Sequence, residues 1–234
     1  MGWSLDTLKL KDAPEIEVRL RRSAAARRMS LRVSQLDGSV TLTVPRRLPL
    51  RQAQAFVQER SDWLREATGA AQSPEPIAFG TSVPIEGALK TVVPAPGKRV
   101  SIENGTLAVP QATSTPGRVI ASFLKRAARV RLQAACDAYS AQLGRPYGRL
   151  TLRDTRSRWG SCTSDGNLMF SWRLIMAPPE VLDYVAAHEV AHLQEMNHSA
   201  AFWTVVAQLC PDYQAHRDWL RTEGASLHKW RFDD

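Results

Sequence analysis

Long apolar runs are missing from this 234-residue chain. No stretch approaches the roughly 18 uninterrupted apolar residues that a membrane-spanning helix requires. The first residues, MGWSLDTLKLKDAPE, have neither the basic start nor the continuous apolar centre of a secretory signal. The fractions of apolar residues (44%) and charged residues (23%) are typical of a folded globular protein rather than a disordered one. We therefore expect a cytoplasmic protein that has no membrane partner.

Cysteine is scarce, and its three copies are far apart in the chain. Cys136, Cys162 and Cys210 form no CxxC pair, which argues against a zinc knuckle or a redox-active couple. We expect reduced thiols, as in other cytosolic proteins. Cys162 ends the loop sequence RWGSC and has two interpretations, a plain buried thiol or an inhibitory thiolate that reaches a metal ion.

Acidic residues are too few to balance the basic ones, and the formal net charge is +8. Excess positive charge favours encounters with nucleic acids, acidic proteins and anionic surfaces, but it selects none of them. Weak association with nucleic acid through a basic surface is therefore one expectation. Arg19, Arg21 and Arg32 fall on the outer face of predicted strands, where they form either a solvated sheet face or an anion-binding surface. The sequence gives no indication of the oligomeric state.

Alternation of apolar and polar residues predicts a three-stranded antiparallel meander over residues 15–44. Asp37-Gly38 is expected to form its second turn. Helical spacing of apolar residues then predicts one helix from Pro49 to about Ala67. Residues 77–109 follow as short strands, with GKR and ENG as hairpin tips.

A long helix is predicted from about Pro116 to Leu143, with Thr115 as its N-cap and Pro116 in its first turn. We place the domain boundary before this helix. Residues 1–110 are expected to form an N-terminal antiparallel β-rich region with one or two helices, and residues 111–234 a second domain. We find neither a sequence repeat nor a low-complexity tract. The expected fold class is α+β.

Strands and helices are also predicted for the second half of the chain. LTLRD (150–154) and NLMFSW (167–172) are predicted strands joined by a loop. Pro178-Pro179-Glu180 is a typical helix start, and this helix is predicted to reach Met196 or Asn197. Two further helices are predicted over Ser199–Leu209 and Asp212–Glu223.

Three of the five histidines lie within the eleven residues HEVAHLQEMNH, positions 188–198. Residues four apart on a helix share a face, so His188 and His192 can point at a single ion. This HExxH pattern is typical of zinc sites in which the glutamate, Glu189 here, serves as general base. A catalytic zinc commonly has three protein ligands and one open position for water. We therefore predict one Zn²⁺ per chain, with His198 as the third ligand.

His198 can reach the ion only if the helix ends and the chain turns back. Asn197 tolerates left-handed geometry and can end the helix, and Ser199 can cap the next one. The spacing from the first histidine to His198 also matches the metzincin pattern HExxHxxGxxH, except that Glu195 stands where that pattern has glycine. Glu195 is therefore either a hydrogen-bond partner of a ligand histidine or an exposed helix residue.

The stretch RWGSCTSDGNLMFSWRLIMAPPEVLDYVAAHEVAHLQEMNHSAAFW resembles the core of the YgjP-like metallopeptidases, relatives of the SprT and WLM zinc-protease groups. The likeness is dense from Arg156 to Trp203 and looser over RRMSLRV and VTLTVPRRLP, which look like the opening strands of that family. The resemblance implies a zincin-like fold, with a small sheet beside the HExxH helix. It also implies zinc held by the three histidines, with the motif glutamate as base, but it implies no particular substrate.

The leading hypothesis is a zinc metallopeptidase that acts on a protein or peptide substrate. Glu189 would take a proton from water and pass it to the leaving amine. The predicted strand at residues 167–172 could offer an edge to which an extended peptide adds. A further donor should stabilise the oxyanion. The candidates, each of which also has a structural or surface interpretation, are Arg158, Arg173, Tyr213 and His216.

Two alternatives stay open. Guanidinium groups bind phosphates well, and several arginines are predicted to cluster at the cleft, which favours a metal-dependent hydrolase of a phosphorylated or nucleotide substrate. These arginines are Arg153, Arg156, Arg158 and Arg173. The second alternative is a basic DNA-associated protein with a structural metal, although structural zinc normally has four protein ligands.

Overall fold

The computed structural model describes residues 6–10, 12–34, 38–69 and 75–232, which divide into two units, Met1–Pro74 and Glu75–Asp234. Both units combine helices with small sheets, so the predicted α+β class is confirmed. Within the described ranges, no helix is both long and apolar enough to cross a membrane. The elements of the first unit are β1 (Asp6–Lys9), β2 (Glu17–Ser23), β3 (Ser30–Val33), β4 (Val40–Pro45), α1 (Leu50–Gln58) and α2 (Ser61–Gly69).

The first unit contains the predicted strands, but the predicted meander is wrong. β4 lies between β2 and β3, parallel to β2 and antiparallel to β3, and β1 pairs with the other edge of β2. Burial explains this order, because Val40, Leu42 and Val44 of β4 are at most 1% exposed. A strand this deeply buried needs hydrogen-bonded neighbours on both edges. Residue 37 of the predicted Asp37-Gly38 turn lies outside the described residues.

The helix predicted from Pro49 to Ala67 is in fact two helices, α1 and α2. Between them, the Arg60 guanidinium donates to the Phe56 carbonyl at 3.2 Å and lies over the Phe56 ring. In a continuous helix that carbonyl would accept from the backbone N–H of residue 60, which bonds instead to the carbonyl of Val57 at 3.1 Å. The side chain thus competes with the helical hydrogen bond at the break.

The second unit contains a further set of strands and the four remaining α-helices of the described chain. Two 3-10 helices, Trp172–Met176 and Gly224–His228, lie among them. The strands are β5 (Glu75–Pro76), β6 (Ser82–Ile85), β7 (Ala88–Ala95), β8 (Ser101–Glu103), β9 (Thr106–Pro110), β10 (Leu150–Arg153), β11 (Gly160–Cys162), β12 (Leu168–Ser171) and β13 (Trp230–Arg231). The helices are α3 (Pro116–Leu143), α4 (Pro179–Ala191), α5 (Ala200–Leu209) and α6 (Tyr213–Thr222).

Strands β6 to β9 form a four-stranded sheet in the order β6-β7-β9-β8. The predicted ENG tip is confirmed, because Asn104 and Gly105 have positive φ and join β8 to β9. The prediction for GKR is wrong, since it connects β7 to β8, which do not pair because β9 lies between them. The second hairpin tip is instead Glu86-Gly87, between β6 and β7.

The sheet of β6 to β9 belongs to the second unit, which differs from the boundary that we predicted at residue 110. Leu107 and Val109 of β9 lie in the same hydrophobic core as Ile120 and Leu124 of α3. Burial of this shared apolar surface joins residues 75–110 to the long helix. The division of the chain into two units therefore falls between residues 74 and 75.

Helix α3 has the predicted bounds, with Thr115 at the N-cap position and Pro116 in the first turn, although no side-chain bond from Thr115 caps the helix. It packs against α4. α5 and α6 lie within one residue of their predicted bounds. The two predicted strands at residues 150–154 and 167–172 are β10 and β12, while β11 lies in what was predicted as a loop.

The three-stranded sheet has the order β10-β12-β11, and β11 packs against α4. β12 is therefore the central strand, parallel to β10 and antiparallel to β11. Our expectation that residues 167–172 offer a free edge is wrong, because both edges of β12 are hydrogen-bonded. The edge strand beside α4 is β11.

Candidate metal centre

Helix α4 carries the first half of the histidine cluster. Pro179 occupies its first turn, and Glu180 places negative charge at the positive end of the helix dipole. Nine of its 13 residues are buried, and they lie on every side of the helix. α4 is therefore an internal helix. His188 and Glu189 lie in its last turn, and His192 is its C-cap residue.

The end of α4 differs from the prediction, because the helix stops at Ala191 rather than at Met196 or Asn197. Nδ1 of His192 lies 2.9 Å from the backbone carbonyl of Glu195, and a carbonyl can only accept, so Nδ1 donates. This bond holds a tight turn directly after the helix. Glu195 thus contacts His192 through its backbone carbonyl, and no bond from its carboxylate to this histidine is seen.

The chain then returns toward the helix through residues 196–199. Asn197 does not adopt the left-handed geometry that we expected. Its side-chain Oδ1 instead accepts from the backbone N–H of Ser199 at 3.1 Å. Ser199 caps α5 as predicted, accepting from the N–H of Phe202 at 3.4 Å.

The return brings His198 to the other two histidines. One ring nitrogen from each of His188, His192 and His198 lies within 4.8 Å of the others. Nε2 of His188 and Nε2 of His198 are 3.1 Å apart. Among the described residues, this is the one group of histidine, cysteine, aspartate and glutamate side chains with a geometry that could hold a metal ion.

Two aromatic residues that sequence reasoning missed support the cluster. The fully buried ring of Phe202 lies 4.5 to 4.9 Å from the three imidazole rings, measured between centroids. Trp203 stacks on His198 at 5.9 Å. Both belong to the FW pair four and five residues after the third histidine, a spacing that places them at the start of α5.

The electrostatic environment favours the neutral form of His188 and His192. Burial, together with His192, His198 and Arg217, lowers the pKa of His188 to about 3. Burial also lowers the pKa of His192. Since Nδ1 of His192 donates to a carbonyl, its Nε2 carries a free lone pair, as a metal ligand must. The residues therefore fit a divalent cation that accepts three imidazole nitrogens, which zinc does.

Glu189 lies beside the cluster and is only 5% exposed. Burial raises the pKa of its carboxyl to about 8, and the nearby Arg158 partly opposes this effect. A positive charge close to a buried carboxylate favours the ionised form. The site thus contains an acid whose protonation state is sensitive to the local positive charge.

A cleft of about 420 Å³ opens over these groups. It is lined by the three histidines, Glu189, Met196, strand β11 and Ser157-Arg158. A neighbouring cavity of about 620 Å³ shares His192 and Met196 with it. The cleft and the neighbouring cavity together can accommodate a ligand that is longer than a single amino acid.

Of the four candidate oxyanion donors, the structure brings only Arg158 into the cleft. Arg173 is buried and bonds to both carboxylate oxygens of Asp154 at 2.7 and 3.1 Å. Its remaining bonds go to the carbonyls of Leu227 and Trp230, so this guanidinium joins the residue after β10 to the C-terminal segment and lies outside the lining of the histidine cleft.

Tyr213 and His216 are also outside the cleft lining. The ring of Tyr213 stacks on Trp203 at 5.4 Å, measured between centroids. His216 is half-buried on α6, where its charge acts on Asp183. Of the four arginines that were predicted to cluster at the cleft, only Arg158 lines it, so the phosphate-hydrolase alternative is not favoured.

Cys162 lines the cleft but does not belong to the metal-binding group. Burial, reinforced by the charge of Glu189, raises the pKa of its thiol to about 11. The Sγ–H group lies 3.4 Å from the carbonyl of Thr163 and donates to it. At neutral pH Cys162 is thus a half-buried thiol rather than a thiolate ligand, and Cys136 and Cys210 are free and buried.

Most of the chain matches one known protein family. The model of the YgjP-like metallopeptidase domain matches residues 27–223. No curated protein matches the chain. Among solved structures, the crystal structure of the metallopeptidase zymogen of Pyrococcus abyssi abylysin is 19% identical, covers 39% of this chain and 93% of its own, and has a TM-score of 0.37. The family match spans most of the chain, including all three histidines and Glu189, and on that ground the chain belongs to the YgjP-like metallopeptidase family.

Proposed function

We propose that the protein is a zinc-dependent peptidase whose metal is held by His188, His192 and His198 and whose general base is Glu189. The observation that carries the proposal is the convergence of three imidazoles, with ring nitrogens within 4.8 Å of one another, beside a buried carboxyl. Three protein ligands leave a coordination position open, as in catalytic rather than structural zinc sites.

When bound, the ion would supply a Lewis acid that lowers the pKa of water and polarises the scissile carbonyl. The contribution of the chain itself is proton transfer and orientation. Glu189 would accept a proton from the attacking water and donate it to the leaving amine. Arg158, the one candidate donor that lines the cleft, would offset negative charge on the carbonyl oxygen.

The edge of β11 is suited to bind an extended peptide. In the antiparallel pair of β11 and β12, Ser171 donates to the carbonyl of Trp159 and Thr163 donates to that of Asn167. Hydrogen-bonded pairs alternate along such a ladder, so the backbone groups of Gly160 and Cys162 point away from β12. We propose that substrate backbone adds to this edge rather than to β12.

Metal analysis and peptide hydrolysis test the proposal together. We expect His198→Ala to lose bound zinc and peptidase activity, whereas His216→Ala, which changes a histidine outside the cluster, retains both. Glu189→Gln should retain zinc and lose about 10²- to 10⁴-fold in rate, the usual contribution of a general base. Full zinc content in the His198 variant, or full peptidase activity in the Glu189 variant, would refute the assignment.

A basic groove supports a second, independent proposal, association with nucleic acid. Lys125, Arg126 and Arg129 of α3 and Arg153 of β10 line a groove of about 420 Å³. Its one carboxylate, Asp154, is already bonded to Arg173. We propose that the phosphate backbone of duplex DNA binds in this groove.

Fluorescence anisotropy with a labelled duplex tests the groove. Reversing charge with Lys125→Glu and Arg129→Glu should weaken binding and reduce its dependence on salt, because fewer phosphate contacts release fewer counterions. Arg19→Glu and Arg21→Glu, on the exposed face of β2, are the matched control and should have little effect. Equal loss from both pairs, or affinity that is insensitive to salt, would contradict the proposal.

A further inference from the structure

Gly160, the first residue of β11, lies against the carboxyl of Glu189. A Cβ atom added to Gly160 would be 2.5 Å from Oε1, 2.6 Å from Cγ and 2.8 Å from Cδ of that side chain. Cβ atoms of real structures essentially never make contacts this short, so with any residue larger than glycine either Glu189 or the adjoining backbone would have to shift. The glycine therefore leaves the space in which the carboxyl lies.

Backbone conformation does not explain this glycine. Seven other glycines of the described chain have positive φ, but Gly160 does not. It pairs with Phe170 in an ordinary antiparallel ladder, a geometry that every L-residue can adopt. The requirement for glycine at residue 160 is thus steric, and Glu189 sets it.

A movement of the Glu189 carboxyl end alone does not relieve the contact. Glu189 is 5% exposed, and it belongs to an internal helix. The contact involves Cγ as well as the carboxyl end, so a rotation of the terminal torsion alone cannot relieve it. The side chain would have to change its rotamer at Cα–Cβ or Cβ–Cγ, which displaces both oxygens.

We infer that Gly160 is a positioning residue, which fixes the orientation of the Glu189 carboxyl toward the histidine cluster. This inference rests on the proposed role of Glu189 as general base. It assigns a function to the glycine of the RWGS sequence, which is not a ligand and has no side chain to contact a substrate. The predicted consequence is specific: an added methyl group alters the proton-transfer step and leaves metal binding intact.

Steady-state kinetics and metal titration of Gly160→Ala test the inference. We expect kcat to fall about 10- to 100-fold, the effect of misplacing a reacting group by about 1 Å, while KM and zinc affinity change little. Gly148→Ala is the matched control, because its Cβ would lie 2.9 Å from Oδ1 of Asn167, a comparably close contact away from Glu189. The control should retain the kcat of the unaltered protein.

A double-mutant cycle with Glu189→Ala separates positioning from general damage. In the Glu189→Ala background the clash is absent, so Gly160→Ala should lower neither the melting temperature nor the residual rate any further. If Gly160→Ala alone does not fold, the double variant should fold. An additive loss in the double variant would overturn the inference.

The two proposals fail in distinguishable ways. Full activity of Glu189→Ala would refute the general-base assignment and the inference with it. An inactive Glu189→Ala protein beside a Gly160→Ala protein with unchanged kcat would refute only the positioning role. Loss of zinc from Gly160→Ala would also refute it, because the damage would then lie in the metal site.

Discussion

The two four-stranded sheets have the same topology but different surroundings. In each, an antiparallel pair is followed by a parallel and then an antiparallel pairing, in the orders β1-β2-β4-β3 and β6-β7-β9-β8. In each sheet, the strand that comes last in the sequence ends in Val-Pro and is followed by a helix. These dipeptides are residues 44–45 of β4 and residues 109–110 of β9. Sequence analysis found no repeat, yet the strand order occurs twice.

The connection between the first two strands differs between the sheets. In the second unit it is the tip Glu86-Gly87, which donates backbone N–H groups to the carbonyls of Ile175 and Met176 at 2.8 and 3.3 Å, just before α4. In the first unit the connection is longer, and Leu10, Ala13 and Ile16 around it are buried in the core of that unit. The same sheet topology thus serves as a scaffold, and in the second unit its first hairpin tip contacts the segment that leads into the histidine-bearing helix.

Core truncations should give the largest difference between the units. Leu42 of β4 and Leu124 of α3 are both fully buried, and each change to alanine should destabilise the protein by about 2–5 kcal/mol. Only Leu124→Ala should also weaken zinc binding, because α3 packs against α4. Denaturant unfolding and zinc titration measure the two effects. Equal weakening of zinc binding by Leu42→Ala would contradict the separation.

The next largest difference in unfolding free energy should be between the loss of a buried arginine and the loss of an exposed one. Arg173→Met removes a guanidinium that is 9% exposed from a half-exposed Asp154 and from two carbonyls, and should cost about 2–3 kcal/mol. Arg22→Met in the first unit removes exposed bonds to the carbonyls of Arg46 and Leu48 and should cost about 1 kcal/mol or less. Unfolding free energies compare them, and a larger loss at Arg22 would reverse our account of the two sites.

Two hairpin glycines test the contact between the Glu86-Gly87 tip and the start of α4. Gly87 and Gly105 have positive φ of 77° and 79°, so alanine at either should cost about 1 kcal/mol. At Gly87 the added Cβ would also lie 3.1 Å from Cα of Pro178, whereas nothing lies within 4 Å at Gly105. We therefore expect Gly87→Ala to be the more destabilising in thermal unfolding. Identical melting temperatures would show that the tip does not press on the helix start.

Acid sensitivity due to histidine should be confined to the second unit, because all five histidines lie beyond residue 187. Burial, with a contribution from Arg173, lowers the pKa of His228 to about 4. A buried neutral histidine stabilises the folded state fully above its unfolded pKa of about 6.5, and this stability is lost as the pH falls from there toward 4.

His228→Asn should therefore make stability less dependent on pH. Between pH 7 and 6 the loss attributable to His228 is about 0.7 kcal/mol, obtained from the unfolded pKa and the depressed folded one. Unfolding free energies of the original and variant proteins at both pH values measure it. Parallel pH profiles would show that His228 is not held in its neutral form.

The sequence predicted the elements of the second unit well where local signals are strong. The bounds of α3 and the start of α4 follow from prolines at the first turn, and the cap of α5 follows from Ser199. The break between α1 and α2 was missed because it depends on the side chain of Arg60 reaching a helical carbonyl. Strand order was missed in both sheets because hydrophobic alternation identifies strands but not their neighbours.

The candidate site also has some features that local sequence predicts and others that depend on distant residues. Local spacing was enough to single out the three histidines and Glu189, since residues four apart share a helix face and a nearby turn can return a third ligand. It was not enough to rank Arg158, Arg173, Tyr213 and His216, because the partners that occupy Arg173 are up to 57 residues away. The position of Glu189 against Gly160 was equally invisible, since the two are on different elements.

The amino-acid sequence alone thus indicates which side chains can hold an ion and which can move a proton. It also indicates where helices begin. The tertiary structure decided which of the other polar groups face the cleft, which strand is an edge, and where a glycine is indispensable. The two sets of features differ because the interactions that produce them act over different distances along the chain. Periodicity and capping act over a few residues, whereas desolvation, side-chain pairing and steric exclusion depend on atoms brought together from distant parts of the chain.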